Sequence, residues 1–280
     1  MRFEAEPTEP ASLGVNDSPL SAANESRRQD TLALVERALN DRSVALAFQP
    51  VVRSNGTARP AFYEGLIRVL DPQQRVIPAR DFIEAIETLE LGRRIDCAAL
   101  ELGLQTLAET PDLRLAINMS ARSIGYQRWT HVLNHGLSLD PTIAERLILE
   151  ITESSAMVMP DLVTVFMREL QHRGVAFALD DFGAGYTSFR YLRDFYFDIL
   201  KIDGQFIRGI ATDGDNQVLT AALQSLAGHF DMFTVAESVE NAADAAVLRE
   251  MGIDCLQGYY FGAPSMSRPW LAGERSRATA

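Results

Sequence analysis

A chain of 280 residues with 47% hydrophobic side chains is long enough to bury a sizeable core without staples. Its formal charge of -12, from 38 acidic against 26 basic residues, argues against a partner that is a nucleic-acid polymer and suits divalent cations instead. Only two cysteines, Cys97 and Cys255, without metal-ligand spacing, and no run approaching roughly 20 apolar residues, point to a cytoplasmic chain with no membrane insertion and no export signal.

Residues 1–27 are rich in Pro, Ser, Glu and Asn and poor in large apolar groups, so they are expected to form a flexible tail or linker. From Thr31 the pattern TLALVERAL has the spacing of a lead-in helix, and residues 28–270 read as one domain, with 271–280 a second flexible tail. Eight β-type runs follow, at 47–52, 62–69, 115–120, 147–153, 175–181, 198–203, 233–238 and 255–261. Stretches with helical periodicity, such as 80–109 and 216–230, separate most of them. Eight apolar strands alternating with helices predict an α/β fold, a (β/α)8 TIM-like barrel. The first two runs are joined only by RSNGTARPA, in which Asn55-Gly56 is a turn signal, so the first strand is expected to be antiparallel.

Polar residues recur along these runs. Gln49, Asn118, Glu150, Asp180 with Asp181, Lys201, Glu237 and Gln257 follow apolar stretches, and Glu64 lies inside its own. Any one of them reads equally well as a helix cap or a solvated side chain. Eight together read as an active site, because strand ends converge on one face of a barrel. The oxygens of Glu64, Asn118, Glu150, Asp180 and Asp181 suit hard cations such as Mg2+ or Mn2+ and suffice for two ions. Two ions about 3.5 to 4 Å apart can activate water and stabilise the leaving oxygen in a phosphoryl displacement. Lys201 either orients the nucleophile or forms a structural salt bridge among the acids.

In order along residues 44–264, FQPVV, FYEGLIR, INMS, LEITE, DDFGAGYTSF, LKID, AESVE and LQGYYF resemble the motifs of the EAL family of cyclic di-GMP phosphodiesterases. The resemblance implies hydrolysis of cyclic di-GMP to linear 5'-pGpG, and metal ligands at Glu64, Asn118, Glu150, Asp180 and Asp181. It implies catalytic roles for Lys201 and Glu237, which would poise the attacking water, with Glu237 the general base, and further active-site positions at Glu240 and Gln257. Gln49, Leu66 and Arg68 match substrate contacts, Arg68 pairing with a phosphate. Asp181 to Ser188 match a mobile loop, and Glu153 the glutamate that anchors it. Mg2+ or Mn2+ is the implied cofactor, with Ca2+ expected to bind without turnover, and a homodimer the implied assembly. Two positions depart from the pattern: Gly65 replaces Ala, leaving the backbone beside Glu64 freer, and Ser238 replaces Gly, which would crowd the site if φ there is positive.

Two other readings are possible from the residues. A receptor or interaction module could keep the pocket without turnover, and a barrel enzyme could use Lys201 to abstract a proton beside a carboxylate. His131, His135, His172 and His229 all fall in helical stretches, where a solvated surface is expected, and HVLNH lacks the Glu of a zinc-protease helix. The aromatic run 189–198 is expected to pack a helix and form part of a subunit contact rather than to stack on bases.

Overall fold

The computed structural model describes residues 19–56, 60–184 and 192–270. Among them nine strands form one sheet: β1 Val44–Arg53, β2 Pro60–Leu70, β3 Val76–Pro78, β4 Leu115–Asn118, β5 Leu147–Thr152, β6 Ala176–Phe182, β7 Ile199–Ile202, β8 Phe233–Ala236 and β9 Cys255–Gln257. The helices are α1 Pro19–Asn40, α2 Ile83–Ile86, α3 Glu90–Glu109, α4 Gln127–Leu139, α5 Glu153–Val158, α6 Pro160–Gln171, α7 Gly204–Ile207, α8 Gly214–His229 and α9 Ala242–Glu250.

β4 to β9 run parallel, and β2 pairs parallel with β4. β1 is antiparallel to both neighbours, β2 and β9, and its two ladders close the barrel. The expected hairpin is therefore present. β3 is an addition to the eight expected strands, a three-residue antiparallel appendage on the outer end of β2. Strands inward from the helices bury side chains on both faces. The outer layer joins Leu115, Leu149, Phe177 and Leu200 to helical residues such as Leu104, Val163 and Met167.

Three expectations need correction. The lead-in helix begins at Pro19 rather than Thr31 and overlaps the expected tail; residues 21–30 are exposed, and the helix docks through Val35 and Ala38. The helical stretch 80–109 is broken into a 3-10 turn at Ala79–Asp81, α2 and α3. At the second break Gly92 permits close approach, since a Cβ there would lie 2.7 Å from the Ile86 carbonyl oxygen. Third, the helical stretch expected at 216–230 is α8, which starts at Gly214; the Asp213 carboxylate caps it by accepting from the backbone N–H groups of Asp215 and Asn216. Arg146 closes the end of α3, donating to the carbonyls of Leu107 and Thr110 at 2.8 and 3.0 Å. No described helix is long and apolar enough to cross a membrane.

Candidate active site

Each barrel strand directs alternate side chains inward, and the inner face has two levels. The lower level is apolar: Val51, Phe62, Ala116, Ile148, Ala178, Ile199, Val235 and Cys255 form one buried cluster. Two residues along each strand stands a member of the polar set: Gln49, Glu64, Asn118, Glu150, Asp180, Lys201, Glu237 and Gln257. In β1 the polar residue precedes its apolar partner, because that strand runs the other way. The side-chain period of two thus lifts eight polar groups onto one end of the barrel, above a water-excluding floor.

Lys201 is the centre of this layer and is 1% exposed. Its ammonium lies 2.8 Å from Asp180 and Glu237, 2.9 Å from Glu150 and 3.5 Å from Glu64. Burial alone would depress it, but Asp180, Glu150, Glu237 and Glu64 outweigh burial and hold the ammonium well above its ordinary range. Glu64 is also held by amides: Asn118 donates to Oε1 at 2.7 Å and Gln257 to Oε2 at 2.6 Å. Against the effect of burial, Lys201 and these hydrogen bonds keep Glu64 below the usual carboxylate range. Gln257 Nε2 also reaches Gln49 Oε1 at 3.2 Å.

Asp181 joins the site by a backbone device. An unbroken strand would aim it away from Asp180, but its φ is 54° and the β6–β7 register shifts between Leu179 and Phe182. Carboxylate oxygens of Asp180, Asp181 and Glu237 consequently lie within 4.8 Å of one another. One ammonium does not neutralise so many acids. Burial, reinforced by Asp180, pushes Asp181 up to about 6. Burial with Asp180 and Glu64 nearby pushes Glu237 up to about 8 despite Lys201, and burial raises Glu150 well above its ordinary value. Buried Glu150 Oε1 has no hydrogen-bond partner among the described residues. An under-neutralised carboxylate cluster with an orphaned oxygen fits a divalent cation, which supplies the missing charge and ligand partner.

The layer opens into a cavity of about 340 Å3. Gln49, Glu64, Leu66, Arg68, Glu237, Glu240 and Gln257 line it; Asn118, Glu150, Asp180, Asp181 and Lys201 do not. Glu153, at the start of α5, accepts from the Gly183 backbone N–H at 3.1 Å. Residues 185–188 of the expected loop lie outside the described residues, as do 189–191 of the aromatic run. In the described remainder of that run Phe195 and Phe197 are core residues and Tyr196 is exposed. All four histidines are exposed on or beside helices. Ser238, expected to crowd the site if its φ is positive, has φ 55° and lines the cavity; Arg80 and Arg208 also line it, and no strand-end position marks either of them in the sequence. A second cavity, about 460 Å3, opens at the other barrel mouth beside Phe62, Ile148 and Val235 and contains no member of the polar layer.

A profile of the EAL domain matches residues 33–264. Among curated proteins, the chain is 32% identical over 243 residues to cyclic di-GMP phosphodiesterase PdeF of Escherichia coli, covering 84% of this chain and 32% of that protein. It is 32% identical over 259 residues to the bifunctional diguanylate cyclase/cyclic di-GMP phosphodiesterase MucR of Pseudomonas aeruginosa, covering 89% and 37%. The chain thus spans about a third of the length of these relatives. Among solved structures, the PaMucR phosphodiesterase in complex with c-di-GMP superposes with a TM-score of 0.72 at 30% identity, covering 84% of this chain and 97% of that one. The FimX EAL domain from Pseudomonas aeruginosa bound to c-di-GMP gives 0.77 at 26%, covering 85% and 97%.

Proposed function

The chain belongs to the EAL domain family, and from that premise we propose that it is a metal-dependent phosphodiesterase opening cyclic di-GMP to linear 5'-pGpG. The carrying observation is the buried acidic layer around Lys201, with its orphaned Glu150 oxygen, opening beneath a cavity that contains Arg68. Relatives named as cyclic di-GMP phosphodiesterases support the substrate.

Glu64, Asn118, Glu150, Asp180 and Asp181 would hold Mg2+ or Mn2+, with room in the donor set for two ions, and Ca2+ would occupy the same oxygens without supporting turnover. Bound metal supplies an activated water and charge stabilisation for the leaving oxygen. The remaining roles fall to side chains. Arg68, buried along most of its length, offers its guanidinium to a phosphate in the cavity. Lys201 fixes Glu150, Asp180 and Glu237 in one geometry, so these carboxylates need not reorganise during reaction. Glu237 lines the cavity, which supports the role of taking a proton from the attacking water. Its raised pKa belongs to the acidic cluster alone; added positive charge favours the carboxylate form a base requires. The water oxygen bonds to phosphorus, the bond to the 3' oxygen breaks and that oxygen takes up a proton to become a 3' hydroxyl, so one water is added and a 5'-phosphate remains on the linear dinucleotide. The reading also includes a cytoplasmic location and a homodimer.

Incubation with cyclic di-GMP and Mg2+ or Mn2+ should yield pGpG, and chelation should stop it. A folded chain that binds the dinucleotide with either ion yet leaves it intact would be a receptor, contrary to this proposal.

A further inference from the structure

Ser238 lies between two acidic cavity residues, Glu237 and Glu240, and has φ 55°. Glycine takes that conformation without a steric penalty, whereas a side chain there is strained and persists only when its surroundings hold it. Here they do. The Ser238 hydroxyl accepts a hydrogen bond from Arg208 Nη2 at 3.1 Å. Space for the pair comes from Gly204, where a Cβ would lie 2.6 Å from Ser238 Cβ and 3.0 Å from Arg208 Nη2. Three positions on two segments are therefore fitted to one another: at the two ends of α7 a glycine that clears the volume and the guanidinium, and after β8 the strained serine that holds it.

Arg208 and Glu240 both line the cavity, with Arg208 Nε 4.0 Å from Glu240 Oε1. Their side chains are 59% and 58% exposed, so neither is committed to a buried ion pair. A bare phosphate is poorly matched to this pair, because the carboxylate repels it. Guanine is well matched: O6 and N7 accept from a guanidinium, and the neighbouring N1–H and exocyclic amine donate to a carboxylate. Adenine presents an amine where guanine has O6, so it meets Arg208 donor to donor.

Building on the cyclic di-GMP reading, we propose that Arg208 and Glu240 together read a guanine of the dinucleotide, and that Ser238 is a positioning residue that holds Arg208 for that contact. An exposed arginine loses rotamer freedom when it binds, and the serine hydrogen bond removes part of that cost beforehand.

The test is steady-state hydrolysis with Mn2+ by the wild type, Arg208→Ala, Ser238→Gly and the double variant, measuring KM for cyclic di-GMP and the inhibition constant of cyclic di-AMP as competitor. Arg208→Ala should raise KM roughly 10- to 100-fold, the range of one bidentate base contact, with a smaller change in kcat and no loss of cyclic di-AMP binding. Ser238→Gly should act in the same direction by about 3- to 10-fold and add nothing once Arg208 is Ala. Equal weakening of both dinucleotides, an unchanged KM in Arg208→Ala, or a Ser238→Gly effect that survives in the double variant would overturn the inference. If the wild type binds cyclic di-GMP without turnover, the phosphodiesterase reading falls alone, and calorimetric affinities of the same four proteins for both dinucleotides decide this inference by the same criteria. If the wild type binds no cyclic di-GMP, both fall.

Discussion

Gly65 and Asp96 show how far a residue's identity predicts its behaviour. Gly65, beside Glu64, was expected to loosen the backbone, but it is paired on both sides, with Phe48 and with Ile117. A Cβ there would meet Ile117 Cδ1 at 2.8 Å, so the missing methyl's space is already filled. Gly65→Ala should therefore shift stability by no more than about 1 kcal/mol, the gain in unfolded-chain restriction offsetting the overpacking, as urea denaturation would read. Asp96, on α3, is a buried carboxylate whose Oδ2 accepts from Ser120 N–H at 3.0 Å and Ser123 Oγ at 2.5 Å. Burial, only partly offset by those bonds, pushes it up to about 7. Its folded value exceeds the unfolded value near 3.9, so the native state holds an extra proton between them. That contribution to stability is fully present below about pH 4 and lost as pH rises through 7. Asp96→Asn keeps one acceptor oxygen and should flatten this part of the pH–stability profile, measured as urea midpoints from pH 4 to 8. The polar strand residues were legible because each interrupts an apolar run. Asp181 was legible as a ligand type but not its route into the site, which depends on a positive φ. Arg208 was invisible, since only tertiary packing brings it to Ser238.

At the scale of elements, periodicity identified strands and failed at breaks. The eight runs all became barrel strands, because two-sided burial leaves an unbroken apolar signature. β3 is three residues long, too short to carry a period. The first turns of α1 escaped notice because residues 21–30 are exposed and impose no apolar spacing. The end of α3 at Glu109 was legible, since Pro111 stops a helix at the residue before it, whereas its support by Arg146, 37 residues beyond Glu109, was not. Arg146→Ala should cost about 0.5 to 1.5 kcal/mol, because the carbonyls of Leu107 and Thr110 lose the guanidinium and keep only the longer backbone bonds from Thr110 and Leu113 N–H at 3.4 and 3.2 Å. A urea midpoint unchanged from wild type would show that water replaces the arginine fully.

Across the whole molecule, the alternation of strands and helices specified a barrel, and Asn55-Gly56 specified the reversed first strand. The two-residue offset between the apolar floor and the polar layer is also written in the sequence, in all eight strands, but it becomes evident only once the direction of β1 is known. For the proposed homodimer, Leu162 and Val165, three apart on α6, and Val158 at the end of α5 are exposed apolar residues available for a contact. Specific activity should accordingly fall on dilution through the dimer dissociation range, tracked by sedimentation; constant activity from a demonstrated monomer would contradict it. The central claim is that the buried layer around Lys201 performs metal-dependent phosphodiester hydrolysis. Its most direct test is chromatography of cyclic di-GMP incubated with Mn2+ and an excess of either the wild type or Glu64→Ala. The wild type should give pGpG, and Glu64→Ala, which removes a proposed ligand carboxylate and the acceptors of Asn118 and Gln257, should slow its appearance by at least about 100-fold. Near-wild-type product formation by a folded Glu64→Ala protein would contradict the account.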